Sequence, residues 1–154
     1  MPITTLLHPY PARYPSPAVH YLCQSWWTCS STSSHTWRNR CDSLLATGQM
    51  LSVIPATIRD TMEVVVEPVR GWKGRVPSWY GIACRIGRVT LWLPIEEEPG
   101  RYRELSLLGL LPKEDLEDAP PFILLGTQFL LEYQAQVVLD CSGATNPGRL
   151  LLPE

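Results

Sequence analysis

The sequence predicts an all-β domain closed by one short helix. Three observations carry that expectation. Short runs rich in β-branched and aromatic residues recur along the chain. Glycine and proline punctuate them. A convincing helix-forming run occurs near the C-terminal end, with apolar positions Phe129, Leu130 and Tyr133. With 154 residues the chain is long enough for one domain with a real core and too short for two comfortable ones. Hydrophobic residues make up 45% and charged ones 18%, a globular balance rather than a disordered or membrane-spanning one.

Taken in order, the first seventeen residues hold Pro2, Pro9, Pro11, Pro15 and Pro17, a third of the fifteen prolines. Ladder hydrogen bonds are hard to sustain there, so residues 1–17 are expected to form an extended arm, loose or lying along another surface. The domain proper is then residues 18–154. Ala18–Cys23 and residues 36–45 read as β-rich segments separated by a Ser/Thr loop. Glu63-Val64-Val65-Val66-Glu67 is a short β-branched run. Residues 81–86 and 88–93 follow, with Gly87 between them marking a bend or tight turn. The acidic stretch 113–118, closed by Pro120-Pro121, reads as a surface loop or a single helical turn. Ile123-Leu124-Leu125 is a buried strand ended by Gly126, and residues 127–134 form the helix. Residues 137–139 and 150–152 make a terminal pair around a turn-rich connection.

Charge and composition narrow the function. A net charge of −2 without a basic cluster offers no footprint for nucleic acid. No apolar run approaches the ~20 residues of a membrane helix. Met1-Pro2-Ile3-Thr4-Thr5 lacks the charged lead and apolar core of a secretory signal, so the expected compartment is the cytoplasm, with free thiols. The five cysteines cannot all pair within one chain. No cofactor is expected.

The most informative stretch is Leu44-Leu45-Ala46-Thr47-Gly48-Gln49-Met50-Leu51-Ser52-Val53-Ile54-Pro55. Two apolar residues lead into a tight Thr-Gly turn, and the chain returns through a short apolar run. It resembles the active-site loop of retropepsin-like aspartic proteases, whose pattern is apolar-apolar-Asp-Thr/Ser-Gly-Ala. Two further features fall in that family's order. Arg70-Gly71-Trp72-Lys73-Gly74, flanked by β-prone segments, resembles the flap that closes over a bound peptide. Ile123-Leu124-Leu125-Gly126, followed by Phe129-Leu130, resembles the apolar-apolar-Gly signature and short helix that close the lobe. Gly126 lies 78 residues beyond Gly48, a spacing lengthened by an acidic insert between Glu96 and Pro121. The resemblance covers about residues 18–153 and implies a single-lobe acid-protease barrel.

It also implies a site. Ala46 stands at the position of the catalytic aspartate, with Thr47 and Gly48 completing the turn; Thr47 resembles the residue that bonds across the dimer axis. Gln49 replaces the usual alanine, and with Gly71, Trp72, Lys73 and Gly74 it would contact the substrate. The implied function is an aspartic endopeptidase acting on peptides or proteins as a homodimer, inactive here because Ala46 removes the carboxylate. An introduced Asp-to-Ala knockout is the reading taken. The alternative is a natural pseudoprotease or peptide-binding scaffold without catalysis.

Other constellations have plainer readings. Cys23, Cys29, His35 and Cys41 recur every six residues and are chemically suitable zinc ligands. They lack a short Cys-x2–4-Cys knuckle, and alternation on strands explains them more cheaply, so no metal is expected. A zinc-bound β domain unrelated to proteases is the third reading. Asp140-Cys141-Ser142-Gly143 has one residue too many for an Asp-Ser-Gly turn, so Asp140 is expected to end a strand. The six tryptophans are mostly core or dimer contacts, with Trp72 at the flap tip free to grip a peptide. His8 and His20 have no visible catalytic partner, and Ser52 has no His-based triad to recruit it.

Overall fold

Strand alternation is clearest between residues 82 and 112, and this stretch forms the backbone of the fold. The computed structural model describes residues 2–12, 18–29, 39–56, 65–67, 77–115, 121–143 and 145–154. Within them the strands, in chain order, are β1 (Ile3–Ala12), β2 (Ala18–Cys23), β3 (Trp26–Cys29), β4 (Asn39–Arg40), β5 (Ser43–Leu45), β6 (Ser52–Val53), β7 (Val65–Glu67), β8 (Ser78–Trp79), β9 (Ile82–Pro94), β10 (Tyr102–Pro112), β11 (Ile123–Leu125), β12 (Gln136–Val138) and β13 (Gly148–Leu152). The helix α1 spans Thr127–Glu132. The strands join in one curled sheet of order β12-β13-β1-β2-β5-β11-β6-β10-β9-β3-β4, with β7 and β8 also paired to β9.

Three expectations change. Gly87 makes no turn: it lies inside β9, opposite Gly109 of β10 and Val66 of β7. Two facing glycines let the strands run through unbroken. The segment 102–112, read as part of an acidic insert, is the eleven-residue strand β10, antiparallel to β9 from Tyr102↔Pro94 to Pro112↔Cys84. Its Leu105 and Leu107 are buried, while acidic residues crowd only the connections around it. Finally, residues 3–12 are extended as expected but are no arm ahead of a domain. Ile3 to Leu7 pair with β13 and His8 to Ala12 with β2, so a boundary at 17/18 would cut through the β1–β2 connection. Pro9 and Pro11 are two residues apart, which puts both missing N–H groups on one side of the strand, where a one-sided pairing tolerates them.

The turn between β9 and β10 is tied to the termini. Thr4 accepts the Glu96 N–H at 2.8 Å through its carbonyl, and Arg149 holds the Glu96 carboxylate with Nε and Nη2, both at 3.1 Å.

Two apolar clusters lie on opposite faces of the central strands. Neighbouring residues of a strand point to opposite faces: Leu45 and Leu125 join the larger core with Leu7, Leu91, Leu107, Phe129 and Leu150, whereas Leu44 and Leu124 join a smaller cluster with Val53, Trp79, Cys84 and Leu110. β5 and β11 are therefore buried on both faces. Such burial explains why they read as continuous apolar runs rather than as alternating ones.

Candidate active-site loop

The loop between β5 and β6 is assembled by a strand that arrives more than sixty residues later. β11 runs parallel to β5, pairing Leu124 with Leu44, and antiparallel to β6, pairing Leu124 with Val53. It thus separates the two strands that flank residues 46–51. The Ala46 N–H donates to Leu125 O at 2.9 Å, and the Gln49 N–H closes the turn onto Ala46 O at 3.2 Å.

The helix completes the support. A helix leaves its first N–H groups without internal partners. In α1 the Thr127 N–H donates to Gln49 O at 3.0 Å and the Gln128 N–H to Met50 O at 2.9 Å, so the loop's own carbonyls cap the helix. Gly126 sits between them in extended conformation (φ −83°, ψ 172°). Its need for glycine is steric: a Cβ there would lie 2.4 Å from Met50 O and 2.7 Å from Leu51 O. At the other end of α1, the Tyr133 hydroxyl accepts the Ser106 N–H at 2.6 Å and donates to Ser106 O at 3.1 Å, fixing the helix against β10.

The sequence-identified residues fall as follows. Ala46 is half-buried against the smaller cluster, beside Leu51; Thr47 and Gly48 are exposed at the tip. Gln49 turns its amide back on the loop, Nε2 donating to Leu51 O at 2.7 Å. The side chain that departs from the family pattern is thereby spent on bracing the turn. Met50 is 65% exposed, an apolar side chain offered to solvent beside the turn. Gly71, Trp72, Lys73 and Gly74 lie outside the described residues, as do Arg70 and His35.

Sequence reasoning passed over Ser52. Its side chain is buried, and its Oγ accepts the Gly126 N–H at 3.0 Å, tying the return strand to the glycine signature. The available signal was a small polar residue inside an apolar return, where a buried hydroxyl needs a partner.

Residues 46–51 carry no carboxylate, and the described aspartates are engaged elsewhere. Asp42 is held by Arg40 Nε at 2.5 Å, and Asp115 accepts the Ala56 N–H at 2.8 Å. Asp140 is exposed in the β12–β13 connection, its Oδ1 accepting from the Ser142 hydroxyl at 2.7 Å and the Ser142 N–H at 3.1 Å, its Oδ2 from Asn146 at 3.1 Å. The Ser142 hydroxyl above all holds its carboxyl below the usual aspartate range. In sheet order β12 lies four strands from β5.

Cys23, Cys41, Cys84 and Cys141 carry free thiols. Burial pushes the Cys23 thiol up to about 12 and that of Cys41 up to about 11. Both thiols are thereby held in the protonated form at neutral pH. The side chain of Cys29, like His35, lies outside the described residues. Among those residues no group of three or more His, Cys, Asp and Glu side chains is placed to hold a metal ion, and no helix is long and apolar enough to cross a membrane.

No protein-family model and no curated protein matches the sequence. Among solved structures, a retropepsin-like aspartic protease from Rickettsia conorii superposes with a TM-score of 0.51 over 99% of this chain and 94% of its own, at 12% sequence identity. Identity this low speaks for architecture alone. The mainly-β curled sheet, the single short helix and the near-complete mutual coverage together make the conclusion plain: the chain has a retropepsin-like fold.

Proposed function

We propose that this chain is one half of a homodimeric aspartic endopeptidase acting on peptide bonds, silent as it stands because Ala46 occupies the position of the catalytic aspartate. One observation carries the reading: the loop's support is complete although its reactive group is absent. Leu125 O, the Ser52 hydroxyl and the first two N–H groups of α1 are all engaged in holding residues 46–52. Only the side chain at 46 is reduced to a methyl.

The chemistry needs two carboxylates sharing one proton, one drawing a proton from water while the other polarises the scissile carbonyl. A single lobe brings one such loop, so the second comes from a symmetry-related copy. In this reading Thr47, exposed at the tip, bonds across that axis, and the sequence Gly71-Trp72-Lys73-Gly74 supplies the contacts to a bound peptide. A methyl cannot serve as general base. An intact scaffold around one lost carboxylate favours a deliberate Asp-to-Ala replacement. Free thiols fit work in a reducing compartment, the cytoplasm.

The test is Ala46→Asp, assayed on a broad peptide library from acid to neutral pH. The chain as written should cut nothing. The variant should show acid-favoured endopeptidase activity, because the pair works in its singly protonated form, and its specific activity should rise with protein concentration as dimers form. A folded, inert variant that still binds peptides would replace this reading with a natural binding module. An inert variant that binds none would overturn both.

A further inference from the structure

Among the described residues, one buried side-chain polar atom has no hydrogen-bond partner: the indole Nε1 of Trp79. Trp79 is 8% exposed. By contrast, the Trp92 indole reaches Thr28 Oγ1 at 3.0 Å. Buried donors are almost always paired, because desolvating one without an acceptor is costly. An orphan of this kind therefore asks what it was placed to meet.

Its surroundings answer in chemical terms. Trp79 belongs to the smaller apolar cluster with Leu44, Val53, Cys84, Leu110 and Leu124, and the half-buried Ala46, Leu51 and Ile86 border the same cluster. The ring thus shares one apolar enclosure with the candidate loop. An indole N–H is a donor only, so the missing partner is an acceptor. The neighbours named are apolar, and an apolar setting penalises a bare charge. A neutral acceptor on an otherwise apolar ligand fits, and the backbone carbonyl of an extended peptide with apolar side chains is that ligand.

The ring also sits on an element able to adjust. β8 is two residues long, pairing only Ser78↔Ala83 and Trp79↔Ile82 of β9. The connecting Tyr80 and Gly81 both have positive φ (49° and 79°), the signature of a tight two-residue hairpin turn. Tyr80, 64% exposed, packs edge-on against the Trp79 ring with centroids 5.4 Å apart.

We infer that Trp79 is a positioning and specificity residue for a peptide ligand, donating its indole N–H to a backbone carbonyl while its ring walls an apolar subsite. This rests on the peptide-cleft reading above. The test uses the full chain labelled with nitrogen-15, followed by NMR as a blocked, leucine-rich hexapeptide is added. The Trp79 indole resonance is assigned through its contact with the neighbouring Tyr80 ring, which keeps the experiment valid if Trp79→Phe fails to fold. The expected result is a downfield shift of that resonance together with shifts in the backbone of residues 46–51. Trp79→Phe, where folded, should weaken peptide affinity about fivefold, the size of one neutral hydrogen bond. Shifts in the loop with an unmoved indole would overturn the inference and leave the peptide cleft standing. No shifts anywhere would sink the peptide reading and this inference with it.

Discussion

The chain contains two Ser/Thr-Gly turns that look alike in sequence and differ in everything that makes a site. The Ala46-Thr47-Gly48 turn and its return through Ser52 are held from outside: bonds from Ala46, Gln49, Met50 and Ser52 reach Leu125, Thr127, Gln128 and Gly126, residues more than seventy positions away. The Asp140 turn is held from within, its carboxylate bonded only to Ser142 and Asn146, two and six residues on. The first turn has a scaffold and no carboxylate; the second has a carboxylate and no scaffold. Catalytic geometry demands groups fixed to fractions of an ångström, which long-range support supplies and a self-bonded surface turn does not.

Three substitutions would break or sharpen that contrast. The largest effect is expected from Gly126→Ala, which drives a methyl into the backbone of Met50 and Leu51, neither of which is a flexible side-chain end. Overpacking against fixed backbone should cost about 3 kcal/mol. Urea unfolding should show the loss, and an unchanged midpoint would mean that α1 and the loop are not locked together as described.

Ser52→Ala comes next. It leaves the buried Gly126 N–H without its acceptor, for which about 2 kcal/mol is the expected penalty. Ser52→Thr, which keeps the hydroxyl, should recover part of the loss. If alanine and threonine behaved alike, the hydroxyl would be shown not to matter.

The smallest effect belongs to the other turn. Asp140 is fully exposed, so Asp140→Asn should leave the urea midpoint at neutral pH nearly unmoved. Its pH signature has a definite sign. With a folded pKa below the unfolded one, the carboxylate's contribution is present above the ordinary aspartate range and fades as pH falls through the lowered folded value. Carboxyl titration by NMR should find Asp140 below that range and Ser142→Ala should move it back up. A normal Asp140 titration would dissolve the self-bonded turn.

Much of this fold was legible in the sequence, and the exceptions are instructive. The buried runs Leu44-Leu45 and Ile123-Leu124-Leu125, the helix after Gly126 and the terminal hairpin were readable because each carries a local signal: an apolar run, a glycine stop, a helix-forming stretch. β10 was hidden because Leu105-Ser106-Leu107-Leu108-Gly109-Leu110-Leu111 lacks β-branched residues, and its strand character comes from pairing with β9 along its whole length. Gly87 was misleading for a related reason, since its strand character comes from pairing with β10 and β7 and leaves no local signal. The loop itself was legible through motif order; the role of Ser52 was not, because its partner is a backbone N–H seventy-four residues away. Trp79 was counted among core tryptophans, and only its surroundings distinguish it.

The division of β1 between two partners carries a consequence for how the chain is made. Its first half needs β13, more than 140 residues further along the chain, while its second half needs only β2, a few residues on. The first half of β1 therefore stays without that partner until β13 has been made, and the Arg149–Glu96 clasp beside it closes no sooner. Pairings of such high sequence separation pay their loop-closure entropy before they return any stability. The β9–β10 hairpin can form from neighbouring residues, whereas joining β1 to β13 waits on the whole span between them.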